Sequence, residues 1–163
     1  MKLVSALKSR ANRGFTLIEV MIAVAIVAIL AGIAIPWYGE FAQRGRRVDA
    51  HKLLLDAADR QEQYFFDFKT YTTTLANLGF PGGTVKSENG YYTLGVAAGV
   101  IGSSCTPATG GAGCSGIAQC FTVTATRTGA QSGDTECGNF CLDSRGEKWA
   151  TGCSDQACVD KCW

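Results

Sequence analysis

The chain has 163 residues, enough for one modest globular head plus an anchoring segment. Lys and Arg total 15 against 14 Asp and Glu, but Lys2, Lys8, Arg10 and Arg13 all precede Phe15 and no acid does, so from Phe15 onward 11 bases face 14 acids and the side chains sum to −3. This excludes a generally basic protein that coats nucleic acid.

The first element is the run FTLIEVMIAVAIVAILAGIAI, Phe15 to Ile35, 21 residues with Glu19 as the sole charge. As a helix it is about 31 Å long at 1.5 Å per residue, which matches a bilayer core. The four bases before it keep residues 1–14 on the cytoplasmic side and send the remainder across. An ordinary secretory signal would be cut after the apolar stretch at small residues, but beyond Ile35 the row reads Pro36-Trp37-Tyr38. A plain anchor explains the charges and gives no reason for Glu19, whose carboxylate costs about 2.5–3.5 kcal/mol in hydrocarbon and so needs a partner or a task.

The segment RGFTLIEVMIAVAIVAILAGIAIP, Arg13 to Pro36, resembles the class III signal and N-terminal helix of type IVa pilins and type II secretion pseudopilins. The resemblance implies that a membrane-embedded prepilin peptidase cuts after Gly14 and that Phe15 becomes the N-methylated terminus. It also implies that Glu19 neutralises the terminal amine of a neighbouring subunit during assembly.

Past Ile35 the pattern turns amphipathic. Phe41, Val48 and Leu55 recur at seven-residue spacing, and Leu54, Ala58, Phe65 and Phe68 extend the stripe, so a helix is expected over 36–69 with this stripe against a sheet. Pro36, Gly39 and Gly45 are where it would bend or open, and the resemblance points to Pro36 as a family kink. The cluster Arg44, Arg46, Arg47 invites a DNA or lipid-headgroup reading, against which stand a solvated face or pairing with Asp49, Asp56 and Asp59. His51, the sole histidine, sits among polar residues and receives no role. Tyr64, Phe65, Phe66 and Phe68 read as a seam against the sheet.

Residues 70–89, rich in Thr, Asn and Gly with Pro81-Gly82-Gly83 as a turn, read as a loop of about twenty residues. Strands are expected at Tyr91–Ala97, Gln119–Arg127, Asn139–Asp143 and Glu147–Thr151, forming an antiparallel meander on the helix. Phe121, Val123 and Ala125, with Phe140 and Leu142, would face the helix, leaving Cys120 and Cys141 on the opposite face for a cross-strand or sheet-to-loop disulfide.

All eight cysteines lie between Cys105 and Cys162, an even number that points to an oxidising compartment and a disulfide framework. The rival is a zinc module using Cys137-x3-Cys141 and Cys158-x3-Cys162. Eight cysteines allow 105 pairings, among which the spacings do not choose. The stretch FTVTATRTGAQSGDTECGNFCLDSRGEKWATGC, closed by Cys162-Trp163, resembles PilE-type minor pilins. That resemblance implies that Cys137 and Cys162 pair to bound the C-terminal D-region. Cys105, Cys114, Cys120, Cys141, Cys153 and Cys158 exceed the one-disulfide pattern and read as staples for the Gly-rich segment Gly99–Gly116 and the D-region.

No catalytic constellation stands out: Ser103, Ser104 and Ser115 have no histidine motif beside them, and Asp143 to Glu147 is too short for an EF-hand loop. Neither enzyme activity nor a cofactor is expected. The expected fold is α+β: a leader (1–14), a membrane and assembly helix (15–35), an amphipathic helix (36–69) and a head (70–163) with about four antiparallel strands and a disulfide-bounded D-region. The expected function is a minor pilin that enters or primes a type IV pilus supporting twitching, adhesion or DNA uptake. The alternatives are a DNA-receptor pilin of the ComP kind and a type II secretion pseudopilin. Partners implied are other pilin subunits, the prepilin peptidase, an inner-membrane assembly platform, the membrane before assembly, and DNA or a host surface at the disulfide-rich loops. The head is expected in the periplasm before assembly and outside the cell afterwards.

Overall fold

A computed structural model describes residues 14–101, 105, 107–108, 114 and 116–163. The leader bases Lys2, Lys8, Arg10 and Arg13, together with Ser103, Ser104 and Ser115, lie outside the described residues. The chain forms two units divided between Glu40 and Phe41.

In the first unit the described chain turns helical at Leu17, opening helix α1 (Leu17–Phe68, 52 residues). Its window Leu17–Ala34 has a mean hydropathy of 2.8 with none of its residues buried, long and apolar enough to cross a membrane. Helix assignment runs without a break through Pro36, Gly39 and Gly45. At its far end α1 stops where Lys69 turns left-handed (φ 56°), and the Lys69 ammonium donates to the Phe66 carbonyl at 2.8 Å, a cation meeting the unpaired carbonyls of a helix C-terminus.

The second unit packs the last part of α1 on an antiparallel sheet. Strands β1 (Tyr92–Ala98), β4 (Phe121–Arg127), β5 (Phe140–Asp143) and β6 (Lys148–Ala150) lie side by side in that order. Between β1 and β4 the chain inserts a small ladder of β2 (Val100–Ile101) and β3 (Pro107–Ala108), and a short helix α2 (Gln156–Cys162) closes the chain. The register sets Val96 opposite Val123, Ala125 opposite Phe140 and Cys141 opposite Trp149. The four expected strands are present with ends moved by one or two residues, β1 shifted one residue along and the others shortened; β2 and β3, two residues each, are too short to leave a periodic signal.

Phe121, Val123, Ala125, Phe140 and Leu142 are buried against the helix, as their alternation requires. Each buried Leu or Phe of this kind contributes about 1.5–3 kcal/mol. The helix face they meet matches the expected stripe only in part. Leu54 is buried and Ala58 packs on the core as expected, and Ala50, Leu53, Ala57 and Gln61 are buried with them, whereas Phe41 (76% exposed), Val48, Leu55 and Phe68 face outward. The reason is rotational: at about 100° per residue, positions 50, 54, 57 and 61 share one face of the helix, and 41, 48 and 55 share another about 150° around from it. The aromatic seam also divides. Phe65 stacks on Tyr71 at 4.7 Å, and Tyr71 meets Phe121 edge-on at 4.8 Å, while Phe66 remains exposed.

The expected loop after α1 contains a 3-10 turn at Leu75–Leu78 and a bridge from Lys86 to Thr93 on the sheet edge. Gln61 anchors it, donating to the Thr72 carbonyl and accepting from the Thr72 N–H at 3.1 Å.

Candidate functional site

At the N-terminal end Gly14, Phe15 and Thr16 precede the first helical turn, and Phe15 is 81% exposed. The Thr16 hydroxyl accepts the Glu19 N–H at 3.3 Å, satisfying one of the orphan donors of the helix start. Glu19 lies in the first turn, where the helix dipole favours a negative charge, on a helix whose neighbouring side chains are exposed and apolar. A carboxylate so placed can act on a cation brought by another molecule.

In the head, the second feature is an ionic cluster between α1 and the D-region. Arg47 is 5% exposed and forks onto Asp134, with Nε to Oδ2 at 2.8 Å and Nη2 to Oδ1 at 2.9 Å, and the same Nη2 reaches Glu136 at 2.8 Å. Asp134, fully buried, also accepts from the Gln131 amide at 2.9 Å and the Cys137 N–H at 3.2 Å. Burial opposes the charge on Arg47, and the two carboxylates more than restore it, so the guanidinium is held above its ordinary pKa. Glu136 also binds Lys161 at 2.5 Å; Lys161 first and Arg47 second push its carboxyl down to about 2. The expected pairing of this basic cluster with acids of its own helix is therefore corrected for Arg47, whose partners come from the D-region. Asp49 instead receives the Asn89 N–H and side-chain amide, and Asp56 pairs with Arg60. Arg46 sits over the Tyr91 ring at 4.9 Å.

Beside this cluster a cleft of about 240 Å³ is lined by Arg44, Arg47, Val48, His51, Lys161 and Trp163. His51 belongs to this packing rather than to a polar surface: its ring stacks on Trp163 at 4.6 Å and meets the Phe140 edge at 5.0 Å. Burial, then the nearby Lys148 charge, lower its pKa to about 4, so it is neutral at physiological pH. The Lys148 ammonium lies 5.1 Å from the Trp163 ring centre, and the Trp163 indole N–H donates to the Trp149 carbonyl at 3.1 Å. With His51 stacked on the ring and Lys148 over it, the indole is occupied by its own neighbours, and what the cleft offers a ligand is cationic contact suited to phosphate. A separate acidic groove, lined by Asp56, Asp59, Arg60 and Asp67, lies farther along α1.

Four disulfides join all eight cysteines: Cys105 to Cys141, Cys114 to Cys120, Cys137 to Cys162, and Cys153 to Cys158. The first ties the loop after β2 to the outer face of β5, and the third bounds the D-region. The grouping of Cys137 with Cys141 as a pair of metal ligands is not assembled, because each is bonded to a distant cysteine. The Asp143 carboxylate is likewise committed internally, accepting the N–H groups of Ile101, Arg145 and Glu147 and fixing the turn before β6.

Asp134, Glu136, Gln131 and Trp163 are the functional-site residues that sequence reasoning passed over. An available signal was the lone acidic pair Asp134-x-Glu136 beside a D-region cysteine, opposite in sign to Arg44 to Arg47.

Residues 36–141 match the family model described as type IV minor pilin ComP, DNA uptake sequence receptor, and residues 9–35 match the prokaryotic N-terminal methylation motif. The chain is 39% identical over 89 residues to the type IV major pilin protein PilA of Myxococcus xanthus, covering 54% of this chain and 39% of that one. It is 31% identical to the fimbrial protein EcpC of Eikenella corrodens, covering 57% and 58%. To the type IV wide pilus major component PilA4 of Thermus thermophilus it is 35% identical, covering 59% and 72%. A solved type IV pilin from Shewanella oneidensis aligns at 22% identity with a TM-score of 0.40, covering 65% and 89%. The chain spans about half the length of the first two relatives. Its methylation motif, apolar helix and fimbrial relatives make it a membrane-anchored precursor of an extracellular pilus. Matched across its head by one family model and across its N-terminus by the methylation motif, the chain is a type IV pilin subunit and belongs to the ComP family of minor pilins.

Proposed function

We propose that this subunit is a DNA-receptor pilin, which captures DNA at its head while its N-terminal helix holds it in a type IV pilus. The observation that carries this reading is the match of residues 36–141 to the DNA uptake sequence receptor model. The cleft beside Trp163 supports it chemically, since Arg44 and Lys161 line it and Lys148 lies over the Trp163 ring, cations that can meet phosphates.

In this reading prepilin peptidase cuts between Gly14 and Phe15, Phe15 is N-methylated, and Glu19 pairs with the terminal amine of a neighbouring pilin. Pro36 is where the helix opens on assembly. The assembly platform and other pilin subunits are the partners of the N-terminal unit. Deleting the gene and following uptake of fluorescent duplex DNA tests the proposal. Loss of uptake with filaments still present is expected. Normal uptake in the deletion strain overturns it, and joint loss of filaments and uptake favours a purely structural subunit.

A further inference from the structure

We propose that Cys153 and Cys158 form an internal dithiol relay that installs the buried Cys137–Cys162 disulfide. Two observations carry this. The sulfurs of Cys153, Cys158 and Cys162 all lie within 4.8 Å of one another, and Cys153 Sγ is 3.7 Å from Cys162 Sγ although the two belong to different disulfides. That is sulfur van der Waals contact, and a side-chain rotation that brings the three sulfurs into line is all that separates it from thiol–disulfide exchange. The four cysteines are also graded in exposure. Cys137 is 0% exposed, Cys162 3% and Cys153 9%, whereas Cys158 is half-buried. An external oxidant therefore reaches the outer pair more readily than the inner one.

The local fold holds this arrangement. Cys158 and Cys162 are four residues apart on α2 and share a face, and the Asp155 carboxylate accepts the Cys158 N–H at 2.8 Å, fixing the first turn. Cys153 and Cys158 are five residues apart, so their loop closes with little loss of chain entropy.

The chemistry balances in three steps. An external disulfide, of a protein oxidase or of glutathione, takes two electrons from Cys153 and Cys158, leaving them bonded and releasing two thiols. The Cys162 thiolate then attacks Cys153 Sγ, forming Cys153–Cys162 and expelling the Cys158 thiolate toward solvent. Finally the Cys137 thiolate attacks Cys162 Sγ, forming Cys137–Cys162 and expelling Cys153. The disulfide has moved inward with no net redox change, and the outer pair is free to be oxidised a second time.

The test uses the full chain, reduced in detergent micelles and reoxidised with limiting oxidised glutathione, with acid quenching, alkylation and peptide mapping at intervals. In the wild-type chain Cys153–Cys158 is expected before Cys137–Cys162. In Cys137→Ser a Cys153–Cys162 disulfide should accumulate, and in the Cys153→Ser/Cys158→Ser double variant Cys137–Cys162 should form about tenfold more slowly, the intramolecular advantage being lost. The relay is overturned if Cys137–Cys162 forms first in the wild type, or if Cys137→Ser yields Cys153–Cys158 without any Cys153–Cys162. The wild-type time course needs no variant to fold.

Discussion

Replacing Arg47 with Ala should be among the most destabilising single changes in the head. The substitution removes a guanidinium that makes three charge-assisted bonds of 2.8–2.9 Å and leaves Asp134, with a fully buried side chain, facing a vacated site. Breaking a buried ion pair from one side costs about 3–5 kcal/mol. Asp134 retains the Gln131 amide and the Cys137 N–H, and Glu136 is 41% exposed and keeps Lys161, so the lower end applies, about 3 kcal/mol. For a head of this size that lowers Tm by about 10 °C. Urea unfolding of the Phe41–Trp163 unit, followed by the fluorescence of Trp149 and Trp163, measures it. Because the cost arises from an orphaned carboxylate, Arg47→Met combined with Asp134→Leu should lose less than the sum of the two single changes, by about 1.5 kcal/mol or more. A loss below about 1 kcal/mol for Arg47→Ala, or a coupling near zero, would refute the claim that this pair locks α1 to the D-region.

Further outcomes follow from the same contacts. His51 has a folded pKa of about 4 against an ordinary 6.5, with Lys148 and Arg47 as the facing charges, so its contribution is complete above pH 6.5 and is lost as the pH falls toward 4. Urea midpoints across that range should decline in the wild type and stay flatter in His51→Phe. Gly138 has φ +74°, and a Cβ there would strike the Thr151 hydroxyl and the Gly152 backbone; Gly138→Ala should cost about 1–3 kcal/mol by thermal unfolding. Opening Cys105–Cys141, separated by 36 residues, through the double Ser variant should cost about 4 kcal/mol in the chain-entropy account, against about 2 for Cys114–Cys120, separated by six. Glu19→Ala should insert into membranes normally and be depleted from sheared pili as measured by mass spectrometry.

The parts of the molecule legible in the sequence are those governed by local rules. The membrane segment follows from an uninterrupted apolar run, and the four main strands follow from two-residue alternation bounded by Gly and Ser, as with Phe121, Val123 and Ala125. The helix face was less legible. Phe41, Val48 and Leu55 carry the larger apolar side chains, yet the buried face holds Ala50, Ala57 and Gln61 beside Leu53 and Leu54, residues that hydropathy does not rank above the exposed set. Arg47 and His51 find their partners at Asp134 and Trp163, more than eighty residues away, and no periodicity reports such a contact. Cys141 could be placed on the outer sheet face by alternation, whereas its partner Cys105 lies in a Gly-rich segment with no pattern to read.

The central claim is that the head binds DNA through cations around Trp163. Fluorescence anisotropy with the Phe41–Trp163 unit and a labelled duplex, titrated across a range of salt concentrations, tests it most directly. The account predicts binding that weakens steeply with salt, with Lys148→Glu reducing the slope of log K against log salt by about 1 or more. Absence of binding at low salt, or binding unchanged by salt and by Lys148→Glu, would contradict it.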